Sequence, residues 1–220
     1  MMKQPAKNSI KNIFWDVDGV LADLNYAYFH FLTGHPNYKD TYKGLKWEDL
    51  PKALPPLPDY GGLELMTHPT LGVQLDYDFC HSPEFYENRP LYSNVVETLR
   101  SLDKLGYRQF TMSATFNVDV KRKFLEKLLA DVKDFLIIEC VQHEGNNEKE
   151  ASLRNCLEKY GLKAEETVLV DDRIYNLYSA IKAGIYPVRM RSEFTTDLPE
   201  DLKWVPEVKD IVEFKDWLYG

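Results

Sequence analysis

Asp16 and Asp18 stand one residue apart and are followed at once by Gly19. Two carboxylates this close repel each other unless a divalent metal neutralises them or one of them retains a proton. A second acidic pair, Asp171-Asp172, closes another apolar run, Thr167-Val168-Leu169-Val170. Taken singly, an Asp-x-Asp-Gly sequence is also ordinary turn chemistry. What separates the two readings is where the rest of the chain must put these acids.

Ile13-Phe14-Trp15 fits a strand buried on both faces, as in a parallel sheet, and Gly19 marks the turn that leaves it. Asp16 and Asp18 therefore belong at a strand's carboxyl end. From residue 89 onward, strands alternate with helices. Residues 94–105 form an amphipathic helix with Val95, Leu99, Leu102 and Leu105 on one stripe and Gly106 as its stop. A strand at 108–112 ends at Ser113-Ala114-Thr115, a helix follows at 118–130, and a strand at 135–141. A polar loop at 142–147 leads to a helix at 148–160. Strand 167–170, helix 175–183, strand 186–190 and a last helix at 208–218 complete the chain. This alternation predicts an α/β fold with a doubly wound parallel sheet. Right-handed crossovers place every strand's carboxyl end on one edge, where such sheets hold ligands. Asp16, Asp18, Ser113, Asp171 and Asp172 then share one crevice, which turn chemistry alone does not explain.

Between these elements, residues 24–88 differ in character. The stretch carries Pro51, Pro55-Pro56, Pro58 and Gly61-Gly62, together with His30, His35, His68, His81 and half of the tyrosines. A helix is expected at 24–32, with short ones at 47–54 and 82–86. The aromatic content suits an inserted, mainly helical subdomain better than a linker. The expected division is a core of 1–23 and 89–220 and an insert of 24–88.

The formal net charge of −8 argues against a general binder of nucleic acid or membrane surfaces, which depends on basic fields. Cys80, Cys140 and Cys156 are odd in number and lack metal spacing, so a reducing compartment is expected. The stretch 1–12 has no apolar run of signal length, and no membrane span is expected. A cytoplasmic location follows as the expectation.

Four pieces stand in fixed order: Asp16-Val17-Asp18-Gly19-Val20, Phe110-Thr111-Met112-Ser113, Lys149, and Val168-Leu169-Val170-Asp171-Asp172. This order resembles the haloacid dehalogenase-like superfamily of hydrolases, most of which are magnesium-dependent phosphatases. The resemblance spans about 10–183, and the insert occupies the position of the family's mobile cap. It implies that Asp16 is the nucleophile that takes the phosphoryl group. A carboxylate can attack phosphorus without first losing a proton. Asp18 would protonate the leaving oxygen and later deprotonate water, which requires it to carry a proton for part of the cycle. A neighbouring carboxylate and a closed cap are expected to favour that. The implied magnesium ligands are the Asp16 carboxylate, the Asp18 main-chain oxygen and the Asp172 carboxylate, with Asp171 a ligand or a supporting group. Ser113 and the main-chain N–H groups of a following turn, at Ala114, would bind phosphoryl oxygens, with Thr111 and Thr115 as rival hydroxyls. Lys149 would balance the charge of Asp16 and phosphate. The chain departs from the family pattern in three places: Asp171 replaces a glycine, Asn176 stands where many members have an aspartate, and no proline follows Lys149.

Outside these motifs, Asp23 is expected at the hinge into the cap. Lys121, Arg122, Lys123 and Lys127 are expected on the wet face of their helix, opposite Val118, Val120, Phe124 and Leu128. The four cap histidines have no metal spacing and read as surface or packing residues. The expected function is phosphatase action on a small soluble phosphate ester, as a monomer or homodimer. Val20-Leu21-Ala22-Asp23, and Ser82-Pro83-Glu84-Phe85-Tyr86 leading into Arg89-Pro90-Leu91, are similar to deoxyribonucleotidase-type nucleotidases. A sugar-phosphate mutase and a catalytically silent binding module are the alternatives.

Overall fold

A computed structural model describes residues 9–87, 89–115, 117–142 and 149–219. The expectations for the first eight residues, for most of the 142–147 loop and for a helix start at residue 148 lie outside the described residues.

In chain order the elements are β1 (Asn12–Trp15), α1 (Leu24–Gly34), α2 (Leu50–Ala53), α3 (Gly72–Cys80), α4 (Pro83–Tyr86), α5 (Val95–Lys104), β2 (Arg108–Thr111) and β3 (Ser113–Thr115). They continue with α6 (Val118–Leu128), β4 (Leu136–Ile137), β5 (Cys140–Gln142), α7 (Lys149–Tyr160), β6 (Thr167–Asp171), α8 (Ile174–Ala183), β7 (Tyr186–Met190), β8 (Glu207–Val208) and α9 (Ile211–Tyr219). Six strands form one parallel sheet in the order β4-β2-β1-β6-β7-β8.

Alternation along the strands explains why helices cover both faces. Ile13, Trp15, Val168, Val170 and Val188 point into a cluster closed by α5, α6 and α9. Phe14, Phe110 and Leu169 point the other way, against α7 and α8. A strand buried on both sides reads as a nearly continuous apolar run, and β1 is buried along its length, its one polar side chain, Asn12, being hydrogen-bonded to Thr167.

Two expectations need correction. The strand expected at 135–141 is two short pieces: β4 pairs with β2, whereas β5 pairs with β3 in a separate two-stranded sheet. The break falls at Glu139, whose N–H donates to Thr111 Oγ1 at 3.0 Å and whose carbonyl accepts from that hydroxyl at 2.9 Å. A side chain thus replaces the backbone ladder at that step. The second correction is α3, which the proline-rich composition of the insert concealed. Its nine residues bury Leu75 and Phe79 against α1 and Leu65. The strand β8 was also not expected.

The insert buries its own cluster, built from Ala27, Tyr28, Phe31, Leu32, Leu50, Leu54, Leu75 and Phe79 and joined by Phe194 from beyond β7. It is seated directly on the turn that follows β6. Ile174 N donates to the Tyr60 carbonyl at 3.2 Å, and Arg173 Nη1 to the Leu63 carbonyl at 3.0 Å. Thr196 N and Arg189 Nη2 donate to the Gly61 carbonyl. Gly61 has φ +95°, and a Cβ there would come within 3.1 Å of the Asp172 carbonyl, so only glycine lets the two backbones approach this closely.

Candidate active site

Register fixes the floor of the site. Trp15 is paired with Val170 on one side and with Thr111 on the other. One step further, Asp16 N donates to the Val170 carbonyl at 2.9 Å and Met112 N to the Trp15 carbonyl at 2.7 Å. Asp16 and Asp171 are therefore level at the carboxyl edge, with Ser113 one residue beyond that level, at the edge where the sequence places all three. Beyond Asp16 the chain makes a tight loop in which Leu21 N and Ala22 N both donate to the Val17 carbonyl. Gly19 lies in this loop at φ +85°, and a Cβ there would sit 2.6 Å from Asp172 Oδ2. A side chain would displace Asp172, so glycine is what lets the first loop touch the second acidic pair.

Lys149 is the first described residue of α7 and is buried. Its Nζ donates to Asp16 Oδ1 at 2.8 Å and to Asp171 Oδ2 at 2.6 Å. The other oxygen of Asp171 accepts from Arg173 N at 2.9 Å and from Asn176 Nδ2 at 3.0 Å. Asn176, which departs from the family pattern, thus completes the shell of Asp171, another departure. With both oxygens engaged, Asp171 is suited to holding Lys149 in place.

Asp172 is different. Its Oδ2 lies 3.4 Å from Arg173 Nε, and its buried Oδ1 has no hydrogen-bond partner among the described residues. Carboxylate oxygens of Asp16, Asp171 and Asp172 lie within 4.8 Å of one another, all buried. Burial pushes Asp16 up to about 8 against the pull of Lys149, with the neighbouring acids adding to the rise. Burial likewise raises Asp172 to about 6. Three buried acids face Lys149, shared by Asp16 and Asp171, and Arg173 beside Asp172, so they are one positive charge short, and Oδ1 of Asp172 is left without a partner among the described residues. Hard oxygen donors so placed fit a divalent cation.

Asp18 departs from expectation. The nearest charges are not carboxylates but two buried cations: Arg89 Nη1 donates to its Oδ1, and Lys121 Nζ to its Oδ2 at 2.6 Å. Arg89 and Lys121 hold its carboxyl well below the usual range against the opposing effect of burial. The expectation that neighbouring carboxylates would keep Asp18 protonated is not met in this arrangement. Lys121 also corrects the reading of its helix. Lys121 is inside with Phe124 and Leu125, whereas Val120 faces outward. Spacing carried the signal: Lys121, Phe124, Leu125 and Leu128 follow i, i+3, i+4, i+7, and residue type masked it.

Ser113 is fully buried, with its Oγ 3.5 Å from Asp18 Oδ2. Ala114 lies in β3 rather than in a turn. The rival hydroxyls are engaged elsewhere, Thr111 with Glu139 and Thr115 with Asn117. Asp23 caps α1, accepting from Tyr26 N at 2.9 Å. Of the four histidines of residues 24–88, His68 and His81 bond within local turns, and the His30 ring lies tilted against that of Tyr26. Arg173, not singled out from the sequence, ties Asp172 to the insert and lies over the Tyr60 ring at 5.1 Å. A cleft of about 440 Å3 opens between the start of α1 and residues 191–194, lined in part by Trp47, Tyr92 and Lys209. Asn25, Ser192 and Phe194 also line a narrow gap that reaches Gly19 and Asp172.

Comparison with known proteins agrees with this geometry. The family model for the haloacid dehalogenase-like hydrolases matches residues 10–184. Comparison with curated proteins gives no match. Among solved structures, a haloacid dehalogenase-like family hydrolase from Streptococcus pneumoniae is 16% identical, with a TM-score of 0.68 over 96% of this chain and 99% of that one. A predicted phosphatase from Clostridium acetobutylicum is 19% identical, with a TM-score of 0.63 over 96% and 99%. CbbY from Rhodobacter sphaeroides, solved in complex with phosphate, is 14% identical, with a TM-score of 0.61 over 93% and 96%. At these identities the structures establish a common fold. Together with the family match and the convergence of its acids, they place this chain in the haloacid dehalogenase-like hydrolase family.

Proposed function

We propose that the protein is a phosphatase that hydrolyses a small phosphate monoester through an aspartyl-phosphate on Asp16. The observation that carries this reading is the pairing of Asp16 with Lys149, next to an acid, Asp172, whose buried Oδ1 is unpartnered. Asp16 would attack phosphorus, and the bond to the ester oxygen would break as that oxygen takes a proton from Asp18. Asp18 would next take a proton from water as the water attacks phosphorus, freeing Asp16 and phosphate. As found, Asp18 is in the form that deprotonates water. Donating to the ester oxygen requires its contacts with Arg89 and Lys121 to be released first. Ser113 and Lys149 would hold phosphoryl oxygens, and Asp171 and Asn176 would fix Lys149.

A divalent cation, magnesium in our reading, would be held by the carboxylates of Asp16 and Asp172 and the main-chain oxygen of Asp18. It would neutralise Asp16 and the phosphoryl oxygens. Residues 24–88 would act as the cap that excludes bulk water. The aromatic and charged cleft beside Asn25 is large enough for a nucleoside or sugar, which makes nucleotides the first substrates to try.

The test is phosphate release from nucleotides, sugar phosphates and small phosphorylated acids, with magnesium and with chelator. Magnesium-dependent release from at least one is expected. No release from any of them removes the reading, whereas strict dependence on a bisphosphate identifies a mutase.

A further inference from the structure

The two cations on Asp18 are more than that carboxylate requires. Neither the Arg89 nor the Lys121 side chain has any exposure. They arrive from different parts of the chain, Arg89 just after the insert and Lys121 from α6. Phe85 and Phe124 wall them in, each ring centroid 4.8 Å from the guanidinium carbon and within 5.7 Å of the ammonium. Arg89 Nη2 donates to the Phe85 carbonyl at 2.5 Å, while its buried Nε has no hydrogen-bond partner among the described residues. Burying two like charges against one opposite charge is costly unless a further anion completes the set.

Across the crevice the imbalance is reversed. There Asp16, Asp171 and Asp172 outnumber Lys149 and Arg173 by one charge. With a divalent cation on that side, each half of the crevice carries one surplus positive charge. A phosphate dianion placed between them matches both. The donors that converge on Asp18 also include Ser113 Oγ, the hydroxyl assigned to phosphoryl oxygens. Asp18 Oδ1 and Oδ2 therefore occupy an anion site that three side chains build.

We propose that Arg89 and Lys121 are phosphate-binding residues, and that an incoming phosphate group takes over the donors that Asp18 occupies here and releases its carboxylate toward the ester oxygen. The inference rests on the phosphatase reading and adds two residues to that site. Arginine suits the role because its planar fork can bind two oxygens of one phosphate, and lysine adds a compact charge beside it.

The experiment is calorimetric titration of inorganic phosphate, with magnesium, into the folded protein. Removing Lys121 alone would leave Asp18 held by Arg89 and still competing with phosphate for it, so the comparison is made in the Asp18→Asn background, where position 18 is neutral. Asp18→Asn itself should bind phosphate at least as tightly as the wild type, because the competing carboxylate has lost its charge. Adding Lys121→Met or Arg89→Met should weaken binding by about thirtyfold or more, and Lys121→Arg should recover part of it. Phosphate dissociation constants within about threefold of the Asp18→Asn protein for both methionine variants overturn the inference. So does the absence of phosphate binding to both the wild type and Asp18→Asn. Ester turnover measured in parallel separates the two conclusions. An active enzyme whose phosphate affinity ignores both substitutions loses only this inference. Weakened phosphate binding in a protein that releases phosphate from no ester supports it and removes the phosphatase reading.

Discussion

Lys149→Met offers a direct measure of how the acidic cluster is held. The lysine is 4% exposed and spans two buried acids at 2.8 and 2.6 Å. Each charge-assisted bond of this kind is worth about 1.5–3 kcal/mol. Losing both should cost about 4 kcal/mol, in line with breaking a buried ion pair. That figure is an upper one, because Asp16 can relieve the loss by taking up a proton. The same proton gives the prediction a pH dependence. Asp16 is pushed up to about 8, so at pH 5 it is neutral in the wild type and only the Asp171 contact is lost as an ion pair. The destabilisation should therefore be about 2 kcal/mol at pH 5 and rise towards about 4 kcal/mol at pH 9. Urea unfolding in the presence of chelator at the two pH values measures it, with an unchanged slope showing that the denatured state is comparable. A loss below about 1 kcal/mol at both pH values, or a larger loss at pH 5, would refute the reasoning.

Asp16→Asn should abolish phosphate release, whereas Asp18→Asn should slow turnover by about 10²–10⁴-fold while inorganic phosphate still binds; steady-state kinetics and phosphate titration check both. Gly19→Ala forces a Cβ to 2.6 Å from Asp172 Oδ2 at φ +85°, so it should cost about 1–3 kcal/mol and weaken magnesium binding, read by thermal melting and magnesium titration. The chelated protein should lose stability as pH rises from about 4 to 8. Asp16 and Asp172 are raised in the folded state, which therefore binds more protons than the unfolded chain over that window. Asp18, held low, acts in the opposite sense only below the ordinary aspartate range. Magnesium should raise the melting temperature more at pH 8 than at pH 5; an equal rise at both would sink the metal assignment.

Much of the core was legible because strands buried on both faces leave continuous apolar runs. β7 falls where it was expected, and β1 and β6 lie within a residue of their expected spans. The insert was harder. Composition announced aromatic packing there but concealed α3, whose helical period is short and interrupted by exposed residues such as Val73 and Tyr77. The split of the strand expected at 135–141 was out of reach, because it depends on the hydroxyl of Thr111, distant in the chain.

The sequence by itself determined which acids meet. Asp16, Asp171 and Ser113 end or follow parallel strands, and chain handedness sends all such ends to one edge. The buried lysine of α7 joins them there, bonded to Asp16 and Asp171. Only the tertiary structure decided the surroundings of Asp18. Arg89 and Lys121 are residue types that composition assigns to water, and their spacing alone does not say whether a partner waits inside. Packing of the insert's exit and of α6 against the first loop brings both to one carboxylate and excludes solvent from the two cations. Charge is sequence information, but whether a charge is buried and paired is settled by the fold.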